Sequence, residues 1–212
     1  MKNLDASEVF GPTSATVAIA LTAVCFGVVP LFARELQAAG VDTTIIALSR
    51  YVLSALILLP WLPKAPGKRA AALLMTGAGL AMGVSWIGYL ESLKSVPVGT
   101  AGIVYMSYPM FTLLFAWLLA NQRPGARAVA SAFLIMAGAS IAYVSGDFGL
   151  EARWALLLAL PAPMTFGFAI AVLCTRTHGL SATERMACAM LGAAMGLAPL
   201  AFLSGEIGRA HV

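Results

Sequence analysis

Seven long apolar stretches, separated by short polar turns, constrain this chain more than any other feature. They run over residues 15–33, 43–62, 70–90, 96–120, 128–144, 154–175 and 186–203. Crossing a bilayer takes roughly 20 mostly apolar residues when the segment is an α-helix. Hydrocarbon also leaves no partner for unpaired backbone groups, so spanning segments close their own hydrogen bonds as helices. The chain is 60% hydrophobic and 10% charged, against about 25% charged residues in a soluble domain. The expected fold class is therefore an all-α integral membrane protein, a multi-helix transmembrane bundle that meets the lipid bilayer on its outside.

The net charge of +4 does not point to nucleic acid. Its basic residues follow a topology rule. Lys2, Lys64, Lys68, Arg69, Arg123, Arg127, Arg176 and Arg185 fall at the N-terminus and in the turns after the second, fourth and sixth spans. The alternate turns and the tail hold Arg34, Lys94, Arg153 and Arg209. Cytoplasmic loops carry the excess of Lys and Arg, so the N-terminus is expected in the cytoplasm. The first span has no convincing cleavage site and reads as a signal-anchor.

Chemistry-bearing constellations are missing. Cys25, Cys174 and Cys188 lie within apolar stretches without metal-ligand spacing, and read as small packing residues. His178 and His211 lie in a turn and in the tail. No catalytic residue, cofactor or metal site is expected. Glu35, Glu91 and Glu184 all sit at span ends, so the acidic group a proton relay needs in mid-membrane is not visible.

A weak internal repeat appears at an offset of about 140 residues, a signal worth seeking in transporters. Phe26-Gly27 matches Phe166-Gly167, Thr43 matches Thr183, and Pro60 matches Pro199 with one residue of slippage. The repeating unit is then five helices. An odd number sends the second copy into the membrane upside down, which is the inverted-repeat plan.

Two stretches then carry a family resemblance. Cys25-Phe-Gly-Val-Val-Pro30 with Ala47-Leu-Ser-Arg-Tyr51, and Gly99-Thr-Ala-Gly-Ile-Val-Tyr-Met-Ser-Tyr-Pro109 with the apolar run after it, resemble the drug/metabolite transporter superfamily, EamA-type. The resemblance covers roughly residues 15–203. It implies ten helices in two inverted five-helix halves, whereas this chain offers seven. Residues 1–14 are then an N-terminal cytoplasmic segment, 15–145 the first five-helix repeat, and 153–205 the first two helices of the second. Residues 206–212 have no apolar period and read as a non-native tail on a truncated frame.

Within the spans, several residues are candidates for the interior. Tyr105, Tyr108 and Thr112 are spaced i, i+3 and i+7, one helical face. Met82, Ser85 and Tyr89 share another, with Trp86 beside it. Trp86 and Tyr89 are also placed where interfacial belt residues occur. Arg50 is the one charge inside a span. Such charges face a bundle interior or water, or snorkel to the interface, and both readings stay open. Gly79 and Gly83 form a small-residue packing face, with Gly77, Gly88, Gly99, Gly102 and Gly138 as further points of close approach. Pro30, Pro109, Pro161 and Pro163 each remove a helix hydrogen bond, and the last pair is expected to break the sixth span.

The expected function is secondary transport of a small metabolite, such as an amino acid or another amphipathic solute. Transport would proceed by alternating access around a midplane cavity lined by the first, third, fourth and sixth spans. The resemblance implies export across the plasma membrane, the bacterial inner membrane. The expected substrate-binding residues are Tyr105, Tyr108, Thr112, Ser85, Trp86, Tyr89 and Arg50. The expected partners are that small-molecule substrate and the bilayer, with a homodimer left open. The alternatives are a non-transporting membrane scaffold and, less favoured, a membrane-embedded enzyme.

Overall fold

The computed structural model describes residues 12–121, 123–141 and 150–203. All the regular elements among them are helices. α1 spans Pro12–Ala38, α2 Thr43–Leu58, α3 Arg69–Ser92, α4 Val98–Tyr105 and α5 Tyr108–Ala120. α6 spans Ala126–Ile141, α7 Leu150–Ala159, α8 Pro161–Thr175 and α9 Ala182–Leu203. Among the described residues, six helical stretches are long and apolar enough to cross a membrane. The fifth expected span is realised as the shorter apolar helix α6, and residues 142–149 lie outside the described set. So does the tail expected over residues 206–212.

Proline decides where two of the spans are interrupted. α4 stops at Tyr105, and α5 restarts at Tyr108 with Pro109 in its first turn. α7 stops at Ala159, and α8 begins on Pro161. Proline is tolerated in a first turn because that N–H has no helical partner there. The break expected at Pro161 and Pro163 is therefore present. α1, in contrast, continues through Pro30.

The turns are closed by local hydrogen bonds. Gly40 ends the α1–α2 corner at φ 85°, a left-handed conformation suited to glycine. Asp42 then caps α2, accepting from the Thr44 and Ile45 amides at 2.7 and 3.3 Å. At the same corner the Gln37 amide donates to Thr43 Oγ1 and to the Leu90 carbonyl at 3.2 and 2.9 Å, fastening α1 to α2 and α3. Asn121 takes the left-handed position that ends α5, at φ 51°. Arg176 donates to the Leu119 carbonyl in the same helix end, where a cation also suits the helix dipole. Ser181 and Glu184 cap α9 reciprocally: the Glu184 carboxylate accepts from the Ser181 amide at 2.7 Å, and Ser181 Oγ from the Glu184 amide at 3.2 Å.

α3 is the central post. It packs closely on α9, and also touches α8, α7 and α2. The α3–α9 contact is made by small residues, because lipid supplies no hydrophobic drive and close backbones gain the most dispersion contact. A side chain at Gly79 would strike the Ala189 backbone, and one at Gly83 would strike Ala193. From the other side, Gly192 lies against the Thr76 carbonyl and Gly196 against Leu80. Gly88 does the same for α3 and α7 at Leu158, and Gly167 for α8 and α5 at Tyr108, Phe111 and Thr112. The expectation of close approach at Gly77, Gly99, Gly102 and Gly138 is corrected, since nothing lies within 4 Å of a Cβ built there. Gly99 and Gly102 border open space between α1 and α4 instead.

Candidate functional site

Six aromatic rings meet where α1, α3, α4, α5 and α8 converge. Tyr105, at the end of α4, is their hub. Its ring centroid lies 5.3 Å from Trp86, 5.4 Å from Tyr89, 5.6 Å from Phe166, 5.8 Å from Tyr108 and 6.1 Å from Phe26. Trp86 meets it edge to face at 88°, and Tyr108 meets Phe166 at 82°. These are the separations and angles at which ring quadrupoles attract. Trp86, Tyr89 and Tyr105 are deeply buried. The first two are thus interior residues of the described bundle, not members of an exposed belt.

A cavity lies on each side of this cluster. The first, about 400 Å³, extends among α2, α3, α8 and α9, and is lined by Arg50, Tyr51, Ser54, Met75, Met82, Leu173, Met186 and Met190. The second, about 910 Å³, lies between α1 and α4 and is lined by Thr22, Gly27, Pro30, Tyr89, Val98, Gly99, Gly102 and Tyr108. Phe26, Trp86, Tyr105 and Phe166 line both. The two spaces are separated by one layer of aromatic side chains. Their volumes fall in the range of small-molecule sites, roughly 300–1,000 Å³.

Arg50 enters the first cavity from seven residues along α2, roughly 10 Å from the helix start at 1.5 Å per residue. Its guanidinium lies 5.3 Å from the Trp86 ring centre and 5.7 Å from that of Tyr51. Cation–π contacts contribute about 0.5–2 kcal/mol, whereas desolvating an ion costs several kcal/mol. The rings therefore do not offset full burial of the charge, and the cavity side of Arg50 has to stay wet or meet an anion. Among the described residues, no ion pair reaches Arg50, and no acidic side chain lines either cavity. Arg50 Nη1, Trp86 Nε1 and the Tyr105 hydroxyl are buried and have no hydrogen-bond partner among the described residues.

The seven residues expected at the site do not all arrive there. Arg50, Trp86 and Tyr105 line the first cavity, and Trp86, Tyr89, Tyr105 and Tyr108 the second. Ser85 lines neither; its hydroxyl pairs with Thr165 Oγ1 of α8 at 2.5 Å, tying α3 to α8. Thr112 also lines neither. It donates to the Tyr108 carbonyl at 2.9 Å, and its backbone packs against Gly167. The i, i+3, i+7 reading fails here because Met106 and Ser107 interrupt the helix, so Tyr105 belongs to α4 and the other two to α5. Phe26, Phe166 and Tyr51 were not among the expected site residues. The first two carried a signal, since they are the paired positions of the 140-residue offset.

A family model for EamA-like transporters matches residues 13–144. The chain belongs to the EamA-like transporter family. This bears out the resemblance carried by residues 25–30, 47–51 and 99–109. The matched segment supplies α1–α6, and so Arg50 and all the cavity aromatics except Phe166. An EamA-like transporter is a multi-pass membrane protein of a transporter family, not of an enzyme family. No curated protein and no solved structure matches the chain.

Proposed function

We propose that this EamA-like chain carries a small amphipathic metabolite, an amino acid or a solute of similar size, across the plasma membrane by alternating access. The observation that supports this best is the pair of cavities divided by Phe26, Trp86, Tyr105 and Phe166. A carrier needs a space reachable from one end of the bundle, a space reachable from the other, and a thin barrier that moves between them. Rings suit that barrier, because they fill a cross-section with few rotatable bonds and slide past one another at little energetic difference. The walls match the solute class. Methionines and aromatics offer apolar, adaptable contact, while Tyr108, Ser54 and Arg50 supply a few polar groups.

In this reading residues 15–145 form the first five-helix repeat and residues 153–205 the start of an inverted second one. The contact between Phe26 and Phe166, at 6.3 Å, supports it. Two residues related by an in-plane pseudo-twofold axis meet only close to that axis, where carriers of this plan hold their substrate. The substrate-facing set is then Arg50, Trp86, Tyr89, Tyr105 and Tyr108, with Ser85 and Thr112 acting through the helix contacts they hold. Export is the direction the family resemblance implies.

The experiment is flux in vesicles reconstituted with the chain and loaded with a mixture of radiolabelled amino acids. The expected result is efflux above that of protein-free vesicles, reduced several-fold by Tyr108→Ala. Efflux equal to the protein-free control would favour the scaffold reading instead.

A further inference from the structure

We infer that the first cavity is an organic-anion site, in which Arg50 takes the carboxylate of a solute whose apolar body lies against the methionines and the aromatic wall. The inference rests on reading the cavity as the solute site, and it names the substrate class of that site.

Three observations converge. Arg50 is a permanent cation within a spanning helix, and its electrostatic partners among the described residues are rings, not carboxylates. The groups left without partners around it are all donors: Arg50 Nη1–H, Trp86 Nε1–H and Tyr105 O–H. Each belongs to a residue lining this cavity, and Trp86 and Tyr105 are each 4% exposed. A buried donor without an acceptor is destabilising, and native interiors hold few of them unless a ligand or a functional step uses them. Arg50 and the Trp86 indole can only donate, and the Tyr105 hydroxyl can donate too, so an acceptor-rich anion matches all three. Apart from Tyr51 and Ser54, the rest of the lining is apolar, largely Met75, Met82, Met186 and Met190 with Ile170 and Leu173. One cation in a largely apolar shell fits a carboxylate on a mostly apolar body.

The three donor atoms are buried in residues of the cavity lining. An anion reaching them displaces Trp86 or Tyr105 from its present packing. Binding and opening of the barrier are thereby linked, because the ligand satisfies donors that the closed wall leaves unpaired.

The test is a charge series of nearly constant shape: 3-phenylpropionate, 3-phenylpropanamide and 3-phenylpropylamine. Each is titrated against the purified 212-residue chain in detergent by calorimetry. The expected result is that the carboxylate binds at least about ten-fold tighter than the amide, and the amine weakest, since a site built around a charged donor discriminates against analogues that leave it unpaired. Arg50→Lys keeps that order. Arg50→Gln abolishes it, with the thermal unfolding profile as the folding control. Trp86→Phe, which keeps a ring and removes one donor, narrows the gap. Equal affinities for carboxylate and amide, a preference for the amine, binding of none of the three, or a carboxylate preference that survives in Arg50→Gln each overturns the inference. Flux is measured separately. Anion binding without flux would sink the carrier reading and leave this one standing, whereas flux with no charge discrimination would do the reverse.

Discussion

Phe26 and Phe166, on α1 and α8, lie with ring centroids 6.3 Å apart and line both cavities of the bundle. Their contact closes the gap that Trp86 and Tyr105 leave between the α1–α4 space and the α2–α9 space. The wall at this point is thus a single layer of rings. Its height depends on side chains, not on a helix backbone.

Phe166→Ala should therefore join the two spaces without unfolding the bundle. Fully buried Phe→Ala changes cost about 3–5 kcal/mol, and Phe166 is only partly buried, so the loss should be smaller. A cysteine at Met190, inside the first cavity, reports on the barrier in a background lacking Cys25, Cys174 and Cys188. In the variant its thiol should react with a membrane-impermeant reagent from both sides of a vesicle, and in the parent from one side. Equal one-sided reactivity in both proteins would mean that the wall does not separate the spaces.

Tyr105 makes a different prediction, because its hydroxyl and its ring pull in opposite directions. The ring touches five others, while the buried hydroxyl has no partner among the described residues. Tyr105→Phe keeps the ring contacts and removes the orphan group, whose burial costs about 1–3 kcal/mol. Its thermal unfolding midpoint should equal or exceed that of the parent, while Tyr105→Ala should lower it clearly. A Phe variant less stable than the parent would show that the hydroxyl has found an acceptor.

The fold class and the break of the sixth span are legible in the sequence because they depend on local chemistry: apolar run length and proline. Tyr105, Tyr108, Trp86, Tyr89 and Arg50 are legible as interior residues for a related reason, since polar and aromatic side chains in mid-span need neighbours. Thr112 and Ser85 are misplaced by pure helical spacing. One is displaced by the break at Met106–Ser107, and the other faces Thr165, a partner 80 residues away. Tyr51 stays hidden because its role follows from how α2 packs against α9, which no local pattern encodes. The packing glycines divide in the same way. Gly79 and Gly83 share the α3 face turned to α9, and Gly77 does not.

That division is testable. A leucine at Gly79 would drive its side chain into the Ala189 backbone, and overpacking of that kind costs about 1–3 kcal/mol or more. An alanine at Gly77 meets nothing within 4 Å and should gain up to about 1 kcal/mol in helix propensity. Gly79→Leu should lower the unfolding midpoint in detergent, and Gly77→Ala should leave it unchanged or raise it. The reverse order would put the α3–α9 interface elsewhere.

At the other end of α3, Lys68 Nζ lies 2.8 Å from the Glu184 carboxylate. The side chains are 35% and 16% exposed, and pairs open to water contribute about 0–1 kcal/mol. Lys68→Ala should accordingly be nearly silent, and any effect should shrink in high salt. Ser181→Ala removes a helix cap and should cost about 1 kcal/mol. Differential scanning of the two variants compares them directly, and a larger loss in Lys68→Ala would mean that the ion pair, not the cap, secures the start of α9.

The arrangement of the chain across the membrane can be read from the same two ends of α3. Arg69 begins the helix beside Lys64 and Lys68, and Ser92 ends it two residues before Lys94. Translocating basic turns is disfavoured, so the end with more Lys and Arg is the one expected in the cytoplasm. Eight of the chain's basic residues fall in the set that includes Lys64, Lys68, Arg69 and Arg176, and four in the set that includes Lys94. Single cysteines at Lys68 and Lys94, in a background without the native three, should therefore behave oppositely in whole cells. The residue-94 thiol should react with an impermeant maleimide from outside, and the residue-68 thiol only after the membrane is opened. Lys94 pairs with Glu91 at 2.8 Å on an exposed turn, so its replacement removes a weak surface contact and should not disturb the fold. External labelling at residue 68 with protection at residue 94 would invert the topology, and the end of the bundle from which each cavity is filled would exchange with it.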